Sequence, residues 1–190
     1  MLKLLFSLVL VLFIGASCSS KTEEERKRDE FGKRAVKTVY SVFDEAKVNI
    51  MQKYPVVCVG VGAEMFGGPV QKLMLSFSID QKLNKDSARQ LVYNIAVEFL
   101  NTVNNSQPLQ EFLVNKPFPL KDIRVALFIQ DEQGYELFDP DISVAVIDEC
   151  DFEYRTIGPV QPAPYLHCYK ETYEEAMQEL NKGQIAQQDD

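Results

Sequence analysis

The chain has 190 residues, 46% of them hydrophobic, with no Trp, four Cys and one His. The 20 basic residues against 28 acidic ones give a formal charge of -8. That length suits one domain able to bury a core, and the ordinary hydrophobic content excludes a disordered or fibrous chain. The acid excess argues against binding nucleic acid or an anionic lipid surface, both of which want clustered Lys and Arg.

The first element is a leader. Lys3 precedes the uninterrupted apolar run Leu4 to Ile14, which gives way to the small residues Gly15, Ala16 and Ser17. Such a run, rising ~1.5 Å per residue as a helix, reaches roughly half way across a ~30 Å hydrocarbon core. It is read as the h-region of a signal peptide covering residues 1–17, absent from the mature fold. Without it the chain keeps 19 basic and 28 acidic residues, a formal charge of -9. The stretch Ile14-Gly15-Ala16-Ser17-Cys18 resembles the lipobox of bacterial lipoproteins. The resemblance implies lipidation at Cys18: the thiol is diacylated, the leader is cut before it, and the new amino terminus is acylated. Ser19 stands where lipoproteins retained at the inner membrane of enteric bacteria carry Asp, which implies the outer membrane in a diderm host. Several acyl chains, at ~0.8 kcal/mol per buried methylene, anchor far more firmly than one. The alternative is ordinary signal-peptidase cleavage, for which Gly15 and Ser17 also serve, giving a soluble exported protein.

Residues 18–30 read as a lipid-tethered charged stalk, and residues 31–190 as a single α+β domain. A long helix is predicted from about Glu24 to Lys53, with Phe31, Ala35, Val39, Val42, Ala46 and Ile50 recurring at three or four and a second row, Val36, Tyr40 and Phe43, widening the stripe. Tyr54-Pro55 ends it. Two strands follow, Val56 to Val61 and Val70 to Asp80; in the second, Leu73, Leu75, Phe77 and Ile79 alternate with polar residues, as in a sheet covered on one side. The intervening Gly-rich segment lacks the third glycine and the following helix of a dinucleotide loop, so it reads as a hairpin loop. The next helix runs from about Asp86 to Asn104 with Asp86 as its cap. A third strand covers Ile123 to Gln130 and a fourth Ile142 to about Ile157, broken near Asp148 to Asp151. Gly158 to Pro164 holds three prolines and reads as extended, before a last helix from Tyr169 to Lys182 with Gly183 as its stop. The expected fold is therefore α+β, a four-stranded and mainly antiparallel sheet with helices on one face, in the order α-ββ-α-ββ-α.

Chemistry is sparse. With Cys18 assigned to lipid, Cys58, Cys150 and Cys168 remain. A Cys150 to Cys168 disulfide is one reading in an oxidising compartment, and three reduced thiols the other, with Cys58 a buried small hydrophobe in its strand. No Cys/His spacing suggests zinc, and His167 alone leaves hydroxyl or thiol activation without its commonest base. Glu149, Asp151 and Glu153 alternate along a strand, where they read as a solvated face, since calcium needs a loop curled around it. Arg89 and Glu98 read as solubilising charges on the central helix. No catalytic, metal or cofactor site is assigned.

The segment from Gly60 to about Thr156 also resembles a group of envelope proteins from obligate intracellular bacteria of the chlamydia-like lineages. The features that carry the resemblance are Leu73-x-Leu75-x-Phe77, Ala88-Arg89-x-Leu91-Val92, Phe112-Leu113 before Asn115-x-Pro117-Phe118, and Lys121-Asp122-Ile123-x-Val125. That group carries no established activity, so the resemblance implies an envelope location and a fold without adding chemistry. The functional expectation is an envelope-anchored lipoprotein whose non-enzymatic domain binds another envelope protein through an exposed sheet edge or the charged stalk. The alternatives are a small-molecule or lipid carrier with a pocket between sheet and helices, and an exported enzyme with a polar cleft.

Overall fold

The computed structural model describes residues 22–66, 68–160 and 165–186. The predicted leader and Cys18 lie outside them. Helix α1 (Glu23–Lys53) opens on a capping box: the Thr22 hydroxyl accepts from the Glu25 N–H at 3.2 Å, and the Glu25 carboxylate accepts from the Thr22 N–H at 2.7 Å. Glu23, Glu24 and Glu25 add negative charge where the helix dipole favours it. Its inner stripe, Ala35, Val39, Val42, Phe43, Ala46 and Ile50, is buried as expected. Val36 and Tyr40 of the second row are not; they stand 45% and 56% exposed. The reason is position: α1 lies at the margin of the domain, and only one narrow face of it meets other elements.

Strands β1 (Val57–Glu64) and β2 (Lys72–Ile79) pair antiparallel through the glycine-rich loop. Helix α2 (Lys85–Asn105) follows, capped by Asn84, whose side chain accepts from the Ser87 N–H at 2.8 Å, two residues before the cap predicted at Asp86. A one-turn helix α3 (Gln107–Gln110) and a 3-10 turn (Leu120–Asp122) lead to β3 (Ile123–Ile129). β3 lies parallel to β2, in register from Leu73 opposite Ile123 to Ile79 opposite Ile129. A parallel pair needs a crossover, and α2 supplies it.

The C-terminal half departs from expectation. The broken fourth strand is a hairpin of two strands, β4 (Val144–Asp148) and β5 (Asp151–Ile157), turned by Glu149 and Cys150 at φ of 51° and 72°. Two consecutive positive φ values match the right-handed twist of flanking strands, a turn for which Asn-Gly is the usual sequence signal. Here Glu-Cys makes it, so only a break was legible. A sixth strand, β6 (Tyr165–Glu171), replaces the first turn of the predicted last helix. Helix α4 (Tyr173–Ala186) instead starts after Thr172, where a second capping box forms with Glu175, and it runs through Gly183. Thr172-x-x-Glu175 is the sequence signal that outranks the apolar spacing beginning at Tyr169.

The sheet is thus six-stranded and ordered β1-β2-β3-β4-β5-β6, antiparallel throughout except between β2 and β3. It has six strands where four were expected, and the overall class is α+β. Leu73, Leu75, Phe77, Ile123, Val125, Leu127, Ala145, Ile147, Phe152 and Tyr154 form one core with the helices. Phe99 of α2 sits at its centre, fully buried, with its ring 5.9 Å from that of Phe43. The opposite face carries no helix. There Ala126, Val144 and Val146 make a small second cluster beneath longer neighbouring side chains.

Replacing Phe99 by Ala removes an aromatic ring from a site that cannot collapse. Urea unfolding should show a loss of about 3 to 5 kcal/mol, with the native secondary structure retained at low denaturant.

Candidate functional site

The chain's chemistry-bearing groups fall into three places. The first is a buried ionic cluster between α2 and β6. Arg89, read from sequence as a surface charge, is only 3% exposed. Its Nε and Nη2 donate to the two Glu171 oxygens at 2.8 and 2.7 Å, and its Nη1 donates to Asp86 at 2.6 Å. Lys85 meets Glu171 at 2.5 Å, and the Tyr154 hydroxyl donates to it at 2.9 Å. Burial alone would raise the Glu171 carboxyl, yet the hydrogen bonds from Arg89, Lys85 and Tyr154 outweigh it and hold the group down at about 2. Burial, with Glu171 beside it, pushes the Tyr154 phenol up. Each charge is met by a partner of opposite sign, so the cluster is a fastening between helix and edge strand and leaves no group free for a ligand.

The second place is the helix-free face of the sheet. Glu149 sits in the β4–β5 turn, while Asp151 and Glu153 project from β5. Glu153 is engaged by Arg155, by the Cys168 thiol at 2.9 Å and by Lys170 at 3.7 Å. Arg155 above all keeps its carboxyl low, at about 2, and Glu153 in return pushes the Cys168 thiol up. Lys72 bridges toward Asp148 at 2.5 Å and Glu149 at 3.7 Å. Glu149 and Glu153 are therefore paired charges, with Asp151 exposed to solvent between them. Among the described residues no group of three or more His, Cys, Asp or Glu is arranged to hold a metal ion.

The cysteines are separate. Cys58, Cys150 and Cys168 are free thiols. Cys150 occupies the β4–β5 turn, whereas Cys168 pairs across the ladder with Arg155, on the far half of β5. Five residues of strand at ~3.3 Å each hold them well beyond the ~7 Å Cα limit for a bridge, so the Cys150 to Cys168 disulfide does not form in this fold. The turn that split the fourth strand is what parts them. His167 lies near the other end of β6, with Nδ1 2.8 Å from Asp139, which also accepts from Thr156 at 2.8 Å. His167 and then Thr156 keep the Asp139 carboxyl low. The Thr156 hydroxyl also lies 3.4 Å from His167 Nδ1, but its shorter bond, at 2.8 Å, directs its proton to Asp139 and not to the imidazole.

The third place is the margin of the sheet. β1 and β6 each pair on one side only, leaving backbone donors and acceptors along two open edges. On β1 the side chains of Val57, Val59 and Val61 are 57%, 54% and 38% exposed. A groove of about 570 Å³ starts at Val59 and runs over the helix-free face past Ser78, Phe128 and Val144 to Tyr165. A carrier was expected to hold its ligand between sheet and helices, where the core now stands; this groove lies on the opposite side. Sequence reading named the exposed edge as a class of contact without locating it. The signal was present in the run Val57-Cys-Val-Gly-Val-Gly-Ala63, which has high strand propensity and no charge or proline to blunt an edge.

No family model, no curated protein and no solved structure matches the chain. None of the described helices is long and apolar enough to cross a membrane.

Changing Arg89 to Met should strand Glu171 in a buried position. A loss of roughly 3 to 5 kcal/mol is expected in denaturant unfolding. The pH dependence has a definite sign. Because the folded pKa of Glu171 is depressed below its ordinary value of 4.5, its contribution is complete above that value and fades as pH falls toward about 2. The thermal midpoint of the native chain should therefore drop between about pH 5 and pH 2, and Glu171→Gln should flatten that slope.

Proposed function

We propose that this chain is a bacterial envelope lipoprotein, anchored through Cys18, whose α+β domain works without catalysis as a polypeptide-binding module using the open edges of its sheet. The observation that carries the reading is the β1 edge, where unpaired backbone and three exposed valines stand together. An extended segment laid along such an edge gains main-chain hydrogen bonds, while alternate side chains settle against the neighbouring surface. The charged groups elsewhere support a scaffold role, since the buried cluster and the paired surface carboxylates are satisfied within the chain. The order of leader, small residues and cysteine supports export and lipidation, with the outer membrane as the site in a diderm host. Helix α1 begins five residues after Cys18, so a fully extended tether spans no more than ~18 Å. That keeps the domain close to the bilayer its lipid enters.

A second reading rests on the groove past Phe128 and Tyr165: a carrier of a small apolar molecule on the helix-free face. Organic extraction of the native protein, followed by mass spectrometry, distinguishes it. A stoichiometric apolar compound would favour the carrier.

Mass spectrometry of the native protein's amino terminus tests the anchor. The expected product begins at Cys18 and carries two or three acyl chains, and Cys18→Ala should abolish membrane retention. A terminus at Met1, or an unmodified thiol at position 18 in the cytosol, overturns the proposal. Mild lysine-directed crosslinking in the native host tests the binding role: a discrete crosslinked species is expected, and Val59→Asp, which sets an unpaired charge on the edge without adding a reactive amine, should diminish it several-fold. Its absence from native cells would remove the polypeptide-binding reading.

A further inference from the structure

The groove on the helix-free face has a direction and a composition of its own. Its lining residues follow one another across the strands: Ser78 of β2 stands opposite Phe128 of β3, Phe128 opposite Val144 of β4, and Ile157 of β5 opposite Tyr165 of β6, with Val59 of β1 at the near end. Strands ~4.8 Å apart make this trough roughly 24 Å long from β1 to β6. Its volume of about 570 Å³ is that of an ordinary ligand site.

Two aromatic rings line it, and one of them is held in place. Phe128 and Tyr165 are 40% and 50% exposed. The Arg155 guanidinium lies over the Tyr165 ring, 4.7 Å from its centre, and is itself paired with the Glu153 carboxylate, which Lys170 meets at 3.7 Å. A ring on an edge strand is thereby positioned in advance, so less side-chain freedom is lost when a ligand arrives. Around the rings the wall is polar without being basic. Ser78, Gln130 and Glu136 bring hydroxyl, amide and carboxylate groups, and none of the described lining residues is Lys or Arg.

Each class of ligand makes a different demand on such a wall. An anion needs a counter-charge, and Glu136 has the wrong sign. A polypeptide is recognised through its main chain at a strand edge, but the backbone groups of β2 to β5 are already paired with neighbouring strands on both sides. A wholly apolar molecule gains most when enclosed, whereas this trough covers its occupant from the sheet side only. A sugar chain meets every condition. Each of its rings has C–H faces that lie flat on an aromatic ring, and hydroxyls that exchange hydrogen bonds with the wall or stay in water.

We propose that the groove binds a neutral saccharide chain laid across the strands, with Phe128 and Tyr165 as stacking platforms and Ser78, Gln130 and Glu136 as partners for its hydroxyls. The site is separate from the backbone edge of β1 and does not depend on the polypeptide-binding role. It excludes the apolar carrier, because both claim the same two rings.

Calorimetric titration of the native mature protein, in a detergent that carries no sugar, tests the site with chitohexaose, cellohexaose and maltohexaose as probes. Saturable binding of at least one of them is expected in the micromolar to millimolar range. Phe128→Ala and Tyr165→Ala should each weaken it about tenfold, and Gln130→Ala several-fold, whereas Tyr40→Ala on α1 should leave it unchanged. The urea midpoint shows which variants are folded, and Tyr165 and Gln130 carry the test if Phe128→Ala is not. No saturable binding of any probe, or binding that the folded variants leave intact, overturns the proposal. A stoichiometric apolar compound in the organic extract overturns it too, as does loss of the crosslinked polypeptide in folded Phe128→Ala, which would give the groove to a protein partner.

Discussion

Six strands with three longer helices on a single face is the constraint from which the other features follow. α2 lies over β3 and β4, α1 over β1 at one margin, and α4 beside β5 and β6 at the other. Apolar alternation on one side of every strand drives this, since Leu73, Leu75, Phe77, Val125, Leu127 and Ile147 must leave water together. Nothing comparable exists on the reverse side. Its apolar residues are few, and Glu153, Arg155, Lys170, Lys72 and Asp148 pair above them. A one-sided sheet keeps its strand edges, and both edges here belong to strands with exposed aromatic or branched side chains.

Electrostatics then divides into a fastening and a cover. The fork between Arg89 and Glu171, drawn in further by Lys85 and Tyr154, ties the N-terminal turns of α2 to β6 across 82 residues of sequence. A planar guanidinium on a carboxylate fixes angle as well as distance, so it positions an edge strand that has a neighbour on one side only. The pairs on the open face are shallower and do less for stability, though they cap the Ala126, Val144 and Val146 cluster. What neither group covers is the β1 margin, where strand valines and the α1 flank remain in solvent.

Legibility followed the range of the interactions. α1 and α2 were readable because their buried faces repeat at helical spacing within each segment, and β2 because Leu73 to Ile79 alternates without interruption. The β4–β5 turn was half readable: a break showed, but Glu149 and Cys150 are not residues that usually take positive φ, so a reversal of direction did not. β6 was missed because Tyr165 to Glu171 has mostly exposed side chains and no apolar period; pairing with β5 makes it a strand. Arg89 looked like any helix charge, since its partner Glu171 lies far along the chain. The same hairpin parted Cys150 from Cys168, which sequence proximity had brought together.

From its sequence alone the chain determined its two long helices, the alternating strand β2, the acid excess and the order of apolar run, small residues and cysteine, because each is read within one short stretch of chain. Tertiary structure decided the strand count, the burial of Arg89, the separation of the thiols and which margin of the sheet stays open. Those depend on hydrogen bonds and contacts between segments dozens of residues apart, whose register no local periodicity encodes.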